Sequence, residues 1–460
     1  MTLIKSISGI RGTIGGKPGE SLSPVDIIKF SAAFGTWILR RQNTKKTRIV
    51  IGRDGRISGK MVSNIVTSAL QGMGIDVTDL ELASTPTVEV AVTGLKAGGG
   101  IIITASHNPA NWNALKLLNE KGEFLSAIDG NEILQIVSTE DFDFAVHDNL
   151  GSVVTDNSWG EKHIDQILRL KLVDINAIKS ANITVAVDCI NSVGGIILPV
   201  LLKKLGVKRS IFLNAAPNGN FAHNPEPLPE NLEEISEFVP LEKADVGFVV
   251  DPDVDRLAII CEDGSMFGEE YTLVAVADYI LQNSVGTTVS NMSSTRALKD
   301  VTEKYGGSYF SSAVGEVNVV EEMKRRNAVI GGEGNGGVIY PDLHYGRDAL
   351  AGIALFLSFM AKQKVKCSQI RAFYPDYFIA KKKLILEPGF NFDKVIESVK
   401  RNFTDGKIDE RDGLRIENEK GWVHLRKSNT EPIIRIYAEG TSSINAENLA
   451  DEVIKLIKCF

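Results

Sequence analysis

Apolar and polar positions along the chain repeat one arrangement. Arg48-Ile49-Val50-Ile51-Gly52-Arg53-Asp54 is a β-branched run closed by charge and glycine, the pattern of a buried strand; a loop at 55–59 and a helix at 61–72 follow. The order returns in Ile183-Thr184-Val185-Ala186-Val187-Asp188, a loop through Asn191-Ser192-Val193-Gly194-Gly195, and a helix at 196–205 stopped by Gly206. A weaker third copy starts at Thr287-Thr288-Val289-Ser290 and continues as a helix at 295–304. Strand–loop–helix units predict α/β domains, and a period of about 100 residues predicts repeated domains instead of a solenoid. Ser23-Pro24 is a helix start, after which Ile27, Phe30, Phe34, Trp37 and Ile38 share one face and are expected in the core. Polar stretches at 148–158 and 362–368 suggest linkers. The last segment changes character. Gly413-Leu414-Arg415-Ile416 and Gly421-Trp422-Val423-His424-Leu425 look like a hairpin, Ile433-Ile434-Arg435-Ile436-Tyr437 like a further strand, and 445–457 like a closing amphipathic helix: a smaller α+β domain.

Composition narrows this. At 460 residues the chain has room for three or four domains of ~100–200 residues, and 43% hydrophobic with 24% charged residues is ordinary for a globular protein. A net charge of −7 argues against a nucleic-acid partner, and a chain this acidic must gather Arg and Lys locally to hold an anion. Cys189, Cys261, Cys367 and Cys459 form no CxxC pair, which disfavours a disulfide framework or a cysteine zinc site. No apolar run approaches the ~20 residues of a membrane span, and Met1-Thr2-Leu3-Ile4-Lys5 does not resemble a signal peptide; the expectation is a cytoplasmic protein without a membrane partner.

Four loops carry chemistry. In Thr104-Ala105-Ser106-His107-Asn108-Pro109 a buried strand ends at one serine flanked by His and an Asn-Pro turn, a way to hold a hydroxyl for a covalent group, though an ordinary strand-to-helix turn reads the same. Asp251-Pro252-Asp253-Val254-Asp255-Arg256 follows an apolar strand and offers three alternate carboxylates, a hard oxygen cage for Mg²⁺. The same pattern suits a phosphatase with Asp251 as nucleophile, or a solvated acidic turn. Gly331-Gly332-Glu333-Gly334-Asn335-Gly336-Gly337, after the apolar Ala328-Val329-Ile330, lacks GxGxxG spacing but allows close backbone approach to a sugar whose hydroxyls Glu333 and Asn335 would bond; a flexible linker is the alternative. Arg426-Lys427-Ser428-Asn429-Thr430-Glu431-Pro432, with Arg435 beyond, reads as a polar loop between strands that suits a phosphate, or as a surface turn. Arg11 between Gly9-Ile10 and Gly12, and Lys116 ten residues past Ser106, are further cations, each unremarkable alone.

In this order and at these separations the loops resemble those of the α-D-phosphohexomutase superfamily, over nearly the whole chain from Gly9-Ile10-Arg11-Gly12 to Glu439. The resemblance implies four domains around a central cleft, three related mixed α/β domains and a C-terminal α+β domain, with expected bounds 1–152, 153–252, 253–368 and 369–460. It implies a phosphorylated Ser106 and Mg²⁺ held by Asp251, Asp253, Asp255 and a phosphoserine oxygen. It implies Arg11 and Lys116 as aids to proton or phosphoryl transfer and His107 as a weaker catalytic candidate. Glu333, Gly334, Asn335 and Arg256 would meet the sugar phosphate. Arg426, Ser428, Asn429, Thr430 and Arg435 would grip the phosphate that is not transferring. The implied reaction moves phosphate between the 6- and 1-positions of a hexose or hexosamine through a bisphosphorylated sugar, which also serves as activator. Two departures matter. Many relatives have Ser in the sugar loop and His at its end, where this chain has Asn335 and Gly337; His344 is a substitute for that His or a structural residue. Asn429 stands where glycine is commoner. Gly332-Glu333-Gly334-Asn335-Gly336-Gly337 with Val314-Gly315-Glu316-Val317 is similar to archaeal-type phosphoglucosamine mutases, so glucosamine phosphate is the expected substrate. A phosphoglucomutase/phosphomannomutase is the alternative, with an Asp-nucleophile phosphatase or an inactive sugar-phosphate-binding protein more remote. The reading leaves room for a homo-oligomer.

Overall fold

The structure is a computed structural model that describes residues 2–458 apart from 7–8, 43–45, 386–390, 404 and 428–432. It falls into two compact units, Met1–Ile280 with Asn335–Arg371, and Leu281–Gly334 with Ala372–Phe460.

The first unit contains two sheets. Strands β1 (Leu3–Ser6), β2 (Gly9–Thr13), β3 (Arg48–Arg53), β4 (Asp76–Leu82), β5 (Gly99–Ile103), β6 (Trp112–Leu118) and β7 (Val153–Thr155) form one seven-stranded sheet, ordered β1-β2-β6-β5-β3-β4-β7. β5, β3, β4 and β7 run parallel, whereas β6 returns antiparallel beside β5. The serine loop therefore joins two antiparallel strands and does not lead into a helix. The helix Pro24–Gln42 covers this sheet, and Ile27, Phe30, Phe34, Trp37 and Ile38 all lie in its core. A second sheet, ordered β11-β10-β8-β9, contains β8 (Thr184–Asp188), β9 (Arg209–Leu213), β10 (Val246–Val250) and β11 (Leu257–Cys261). β10 and β11 pair antiparallel with Val250 opposite Leu257, so the aspartate loop is the tip of a buried hairpin.

The second unit contains β12 (Thr287–Asn291), β13 (Ser308–Ser312) and β14 (Ile330–Glu333), parallel in the order β13-β12-β14. Its other sheet is antiparallel, ordered β16-β20-β19-β18-β17, from β16 (Phe378–Ile385), β17 (Lys407–Asp409), β18 (Leu414–Asn418), β19 (Gly421–Lys427) and β20 (Ile433–Gly440); β15 (Gly337–Ile339) belongs to the first unit. The helix Ser443–Ile457 buries Ala446, Ala450, Val453 and Ile457 in the core of the antiparallel sheet. The three strand–loop–helix repeats are present, with helices Gly59–Gly72, Gly194–Leu205 and Ala297–Lys304. No described helix is long and apolar enough to cross a membrane.

Four local readings need correction. Residues 148–158 are more than a linker, because β7 pairs with β4; it is a short exposed edge strand, and exposure explains its polar sequence. Residues 362–368 hold the end of the helix Ala349–Gln363, a left-handed Lys364 that caps it, and the start of the helix Cys367–Arg371. The glycine-rich segment is ordered strand up to Glu333. A Cβ on Gly331 would collide with Met323, so this glycine serves close packing instead of flexibility. Arg426 and Lys427 are the last residues of β19 and not loop residues.

His424 on β19 is buried between Ser293 Oγ, 2.8 Å from Nδ1, and the Asp412 carbonyl, 2.7 Å from Nε2. Burial, aided by Arg415 and Arg426, lowers its pKa from 6.5 to about 4. The unfolded chain therefore binds this proton first. Stability contributed by neutral His424 is complete above pH 6.5 and is lost as pH falls towards 4, up to about 3 kcal/mol. Urea unfolding across this window is expected to show wild-type stability falling more steeply than that of His424→Asn; identical slopes would contradict the assignment.

Candidate active site

The serine loop is built on one buried arginine. Arg56 Nε donates to Asp54 Oδ2 at 3.0 Å, and its two Nη atoms reach the carbonyls of Ser106 (2.5 Å), Asn108 (2.6 Å), Pro109 (2.6 Å) and Trp112 (3.0 Å). Thr104 Oγ1 donates to the same Asp54 oxygen at 2.6 Å and accepts from Ser106 N at 2.9 Å. Five donor contacts from one planar group fix the loop backbone. They hold Ser106 in the left-handed region at φ 48°. Its Oγ donates to Asp251 Oδ2 at 2.5 Å.

The aspartate loop is held as firmly. Main-chain N–H groups of Asp255 and Arg256 both donate to Asp251 Oδ1 at 3.2 Å. Thr85 donates to Asp253 through its N–H (2.9 Å, to the carbonyl) and its hydroxyl (2.5 Å, to Oδ2). Ser192 Oγ donates to the Pro252 carbonyl at 2.6 Å and accepts from Gly55 N at 2.9 Å, tying the aspartate loop to the segment that carries Arg56. Val254, between two of the aspartates, has φ 61°, a conformation that costs a β-branched residue about 1–3 kcal/mol. The turn persists because both flanks are bonded.

The three carboxylates are fully buried and their ligand atoms lie within 4.8 Å of one another. Lys116 Nζ, on β6, sits 2.7 Å from Asp253 Oδ2 and 3.5 Å from Asp255 Oδ2. Arg347 Nη2 lies 2.6 Å from Asp255 Oδ2, and Arg256 Nε 4.0 Å from Asp255 Oδ1. Asp253 Oδ1 and Asp255 Oδ1 are buried and have no hydrogen-bond partner among the described residues. Burial, then the neighbouring Asp255 and Asp253, push Asp251 well above the usual carboxylate range. Against burial, Lys116 and the Thr85 hydroxyl hold Asp253 below it. Orphaned hard oxygens on crowded carboxylates fit a divalent cation such as Mg²⁺, which the triad and a group on Ser106 would hold.

Beside these acids lies a group of crowded cations. Arg11 on β2 is lowered by burial and then by Arg256 and Arg347, which repel it. His107, with Nδ1 3.4 Å from Ser106 Oγ, is lowered to about 2 by burial first and then mainly by Arg256. The ring is therefore neutral and a poor proton acceptor. Lys116, by contrast, is raised: burial opposes, but Asp253 and Asp255 outweigh it. Three guanidiniums that repel one another next to a serine hydroxyl provide a place for an anion with several oxygens.

The first unit thus brings together Ser106, His107, Arg11, Lys116, Asp251, Asp253, Asp255 and Arg256. It also contains Asn335, whose Oδ1 accepts from Gly337 N at 3.2 Å. In the second unit Glu333 ends β14, buried, and accepts from Asn291 Nδ2 at 2.9 Å; Gly334 N donates to Ser294 Oγ at 3.0 Å. Arg426 and Arg435 face each other across β19 and β20, and Lys383 faces Arg435 across β16 and β20. Like charges directly opposite on a sheet destabilise it, and Asp412 Oδ2, 3.7 Å from Arg426 Nη1, offsets part of this row's charge. Ser428, Asn429 and Thr430 lie outside the described residues.

Arg56, Asp54, Thr85, Ser192, Arg347 and Lys383 were not legible as site residues. Each acts through a partner distant in sequence and none belongs to a recognisable motif. His344 is largely buried, its side chain 13% exposed. Its imidazole lies between Glu89 and Asp348.

Similar proteins cover nearly the whole length of the chain. Profiles of the phosphoglucomutase/phosphomannomutase family match in order: α/β/α domain I over residues 3–144, domain II over 161–264, domain III over 268–377 and the C-terminal domain over 383–456. A phosphoglucomutase/phosphomannomutase of Thermococcus kodakarensis is 36% identical over 97% of this chain and 98% of its own. A phosphoglucosamine/phosphogalactosamine mutase of Sulfurisphaera tokodaii is 32% identical over 98% of each. The crystal structure of a phosphoglucomutase/phosphomannomutase family protein from Burkholderia thailandensis shares the fold with a TM-score of 0.85 over 99% of this chain and 97% of that one, at 24% identity.

Removing Arg56 leaves the Asp54 carboxylate buried without its cation and takes a guanidinium donor from four loop carbonyls, of which Pro109 still accepts from Trp112 N. Arg56→Ala is expected to destabilise by about 3–5 kcal/mol, and Arg56→Lys by less, since charge survives but the fork does not. Thermal unfolding tests this; an unchanged midpoint for Arg56→Ala would remove the loop's proposed anchor.

Proposed function

Because the chain belongs to the phosphoglucomutase/phosphomannomutase family and is a phosphohexomutase, we propose that it interconverts glucosamine 6-phosphate and glucosamine 1-phosphate, with Ser106 as the phosphate carrier. The observation that supports the carrier is the contact of Ser106 Oγ with Asp251 Oδ2 at 2.5 Å, between a carboxylate triad and three arginines. Mg²⁺ held by Asp251, Asp253 and Asp255 would neutralise charge on the transferring phosphoryl oxygens.

The chain's own residues divide the remaining work. Arg56 fixes the serine in position. Arg11, Arg256 and Arg347 meet the phosphoryl group, and Lys116, which stays protonated, adds positive charge where the transition state gathers negative charge. His107 presents a neutral ring beside Ser106. When phosphate passes to the sugar, the Ser106 Oγ–P bond breaks as the bond to the substrate oxygen forms; the sugar hydroxyl gives up its proton and Ser106 becomes a hydroxyl. The bisphosphorylated sugar then returns its other phosphate to Ser106. Added sugar bisphosphate would recharge a serine that has lost its group, and so acts as activator. Arg426, Arg435 and Lys383, with Ser428, Asn429 and Thr430, are our candidates for gripping the second phosphate, and Glu333, Gly334 and Asn335 for the sugar.

Glucosamine phosphate is favoured by the likeness of the Gly332–Gly337 segment to archaeal phosphoglucosamine mutases and by the name of the Sulfurisphaera relative. A second reading, glucose or mannose phosphate, is favoured by the name of the Thermococcus relative. Turnover of glucosamine, glucose and mannose phosphates with Mg²⁺ and the matching bisphosphates separates them. Glucosamine phosphate is expected to give the highest kcat/KM; equal or greater values for glucose or mannose phosphate would transfer the assignment. Ser106→Ala is expected to lose at least ~10³-fold in kcat. Full turnover in that variant, or net release of inorganic phosphate, would instead favour Asp251 as a hydrolytic nucleophile.

A further inference from the structure

A second cluster of metal-type ligands lies in the first unit, separate from the aspartate loop. His163, on the helix Trp159–Leu168, and His344 both turn Nε2 towards Asp348 Oδ2, at 2.9 and 3.3 Å. The rings stand 77° apart with centroids at 6.0 Å. The three ligand atoms lie within 4.8 Å of one another. Side-chain exposure is 0% for His163, 1% for Asp348 and 13% for His344.

The far side of each ring is also occupied. His163 Nδ1 meets Thr87 Oγ1 at 3.1 Å, and His344 Nδ1 meets Glu89 Oε2 at 3.2 Å. Metal-bound histidines characteristically have their other nitrogen fixed by an oxygen acceptor, often a carboxylate. Asp348 is likewise held, its Oδ1 accepting from Leu350 N at 2.8 Å and Ala351 N at 3.2 Å as the cap of the helix Ala349–Gln363, which leaves Oδ2 facing the imidazoles. Tetrahedral zinc with bonds of ~2.0 Å separates its ligand atoms by ~3.3 Å, and the two Nε2–Oδ2 distances here are 2.9 and 3.3 Å.

We propose that His163 Nε2, His344 Nε2 and Asp348 Oδ2 form a structural site for one divalent ion of the zinc class, with Thr87 and Glu89 orienting the two imidazoles. Charge supports this. Asp348 and Glu89 are two buried carboxylates, and one divalent ion balances both while leaving the imidazoles neutral. The ion would lock the helix cap immediately beside Arg347, which contacts Asp255. N,N,O ligation favours zinc over Mg²⁺, so the two sites would sort ions by chemistry.

Wild-type protein saturated with Mg²⁺, to occupy the aspartate triad, is incubated with Zn²⁺, gel-filtered, and analysed for metal and by zinc X-ray absorption. About one retained zinc per chain with two imidazole ligands is expected, together with a raised thermal midpoint. No retained zinc, or zinc in an all-oxygen or single-imidazole shell, would overturn the proposal and leave a network held by protons alone. In His163→Gln and His344→Gln, checked for native circular dichroism, zinc retention is expected to fall at least ~10-fold; unchanged retention would also overturn it. Because metal retention is read directly, the outcome is independent of which sugar phosphate is turned over.

Discussion

The first unit is organised around one unbalanced electrostatic arrangement. Three buried carboxylates crowd together beyond the reach of full compensation by Lys116 and Arg347, and two of their oxygens have no hydrogen-bond partner among the described residues. Beside them, burial and then Arg256 and Arg347 lower Arg11, and burial and then Arg256 lower His107. Neither half is stable alone in a low-dielectric interior. Together they define what is missing: a cation for the acids and a multiply charged anion for the bases, meeting at Ser106 Oγ. Phosphoryl transfer needs that combination, since its transition state is stabilised chiefly by position and charge.

Such a site requires a rigid frame, and much of the surrounding structure supplies it. Arg56 satisfies four carbonyls of the serine loop, Ser192 ties that region to the aspartate loop, and Thr85 holds Asp253 from the helix side. The left-handed Ser106 and Val254 are tolerated because these bonds over-determine the turns. The repeated α/β architecture contributes through its strand ends. β5 and β10 are wholly buried and deliver Ser106 and Asp251 just beyond their last residues.

Much of this was legible in the sequence. Buried strands reveal themselves by β-branched runs, the helix starting at Pro24 by its cap and apolar face, and the chemistry by Ser106 and the three alternate aspartates. Less legible were features whose meaning depends on a distant partner. β7 reads as linker because an exposed edge strand has no apolar face to show. Gly331 reads as room for a ligand or as a flexible link, and its packing against Met323 shows only in the fold. Arg56 and Arg347 look like ordinary cations until the fold sets them against Asp54 and Asp255. Lys383 acquires significance only through strand register, which sets it in a row with Arg435 and Arg426. His344, considered as a stand-in for a missing catalytic His, turns out to bind Glu89 and Asp348.

In the proposed reaction Ser106 carries phosphate reversibly and passes it to sugar rather than water. Protein charged with ³²P at Ser106 and mixed in one turnover with unlabelled glucosamine 6-phosphate and Mg²⁺ tests it most directly. The label is predicted to leave the protein and appear in hexosamine phosphates, with little as inorganic phosphate. Label that stays on the protein while unlabelled sugar phosphate isomerises, or that emerges chiefly as inorganic phosphate, would contradict the account.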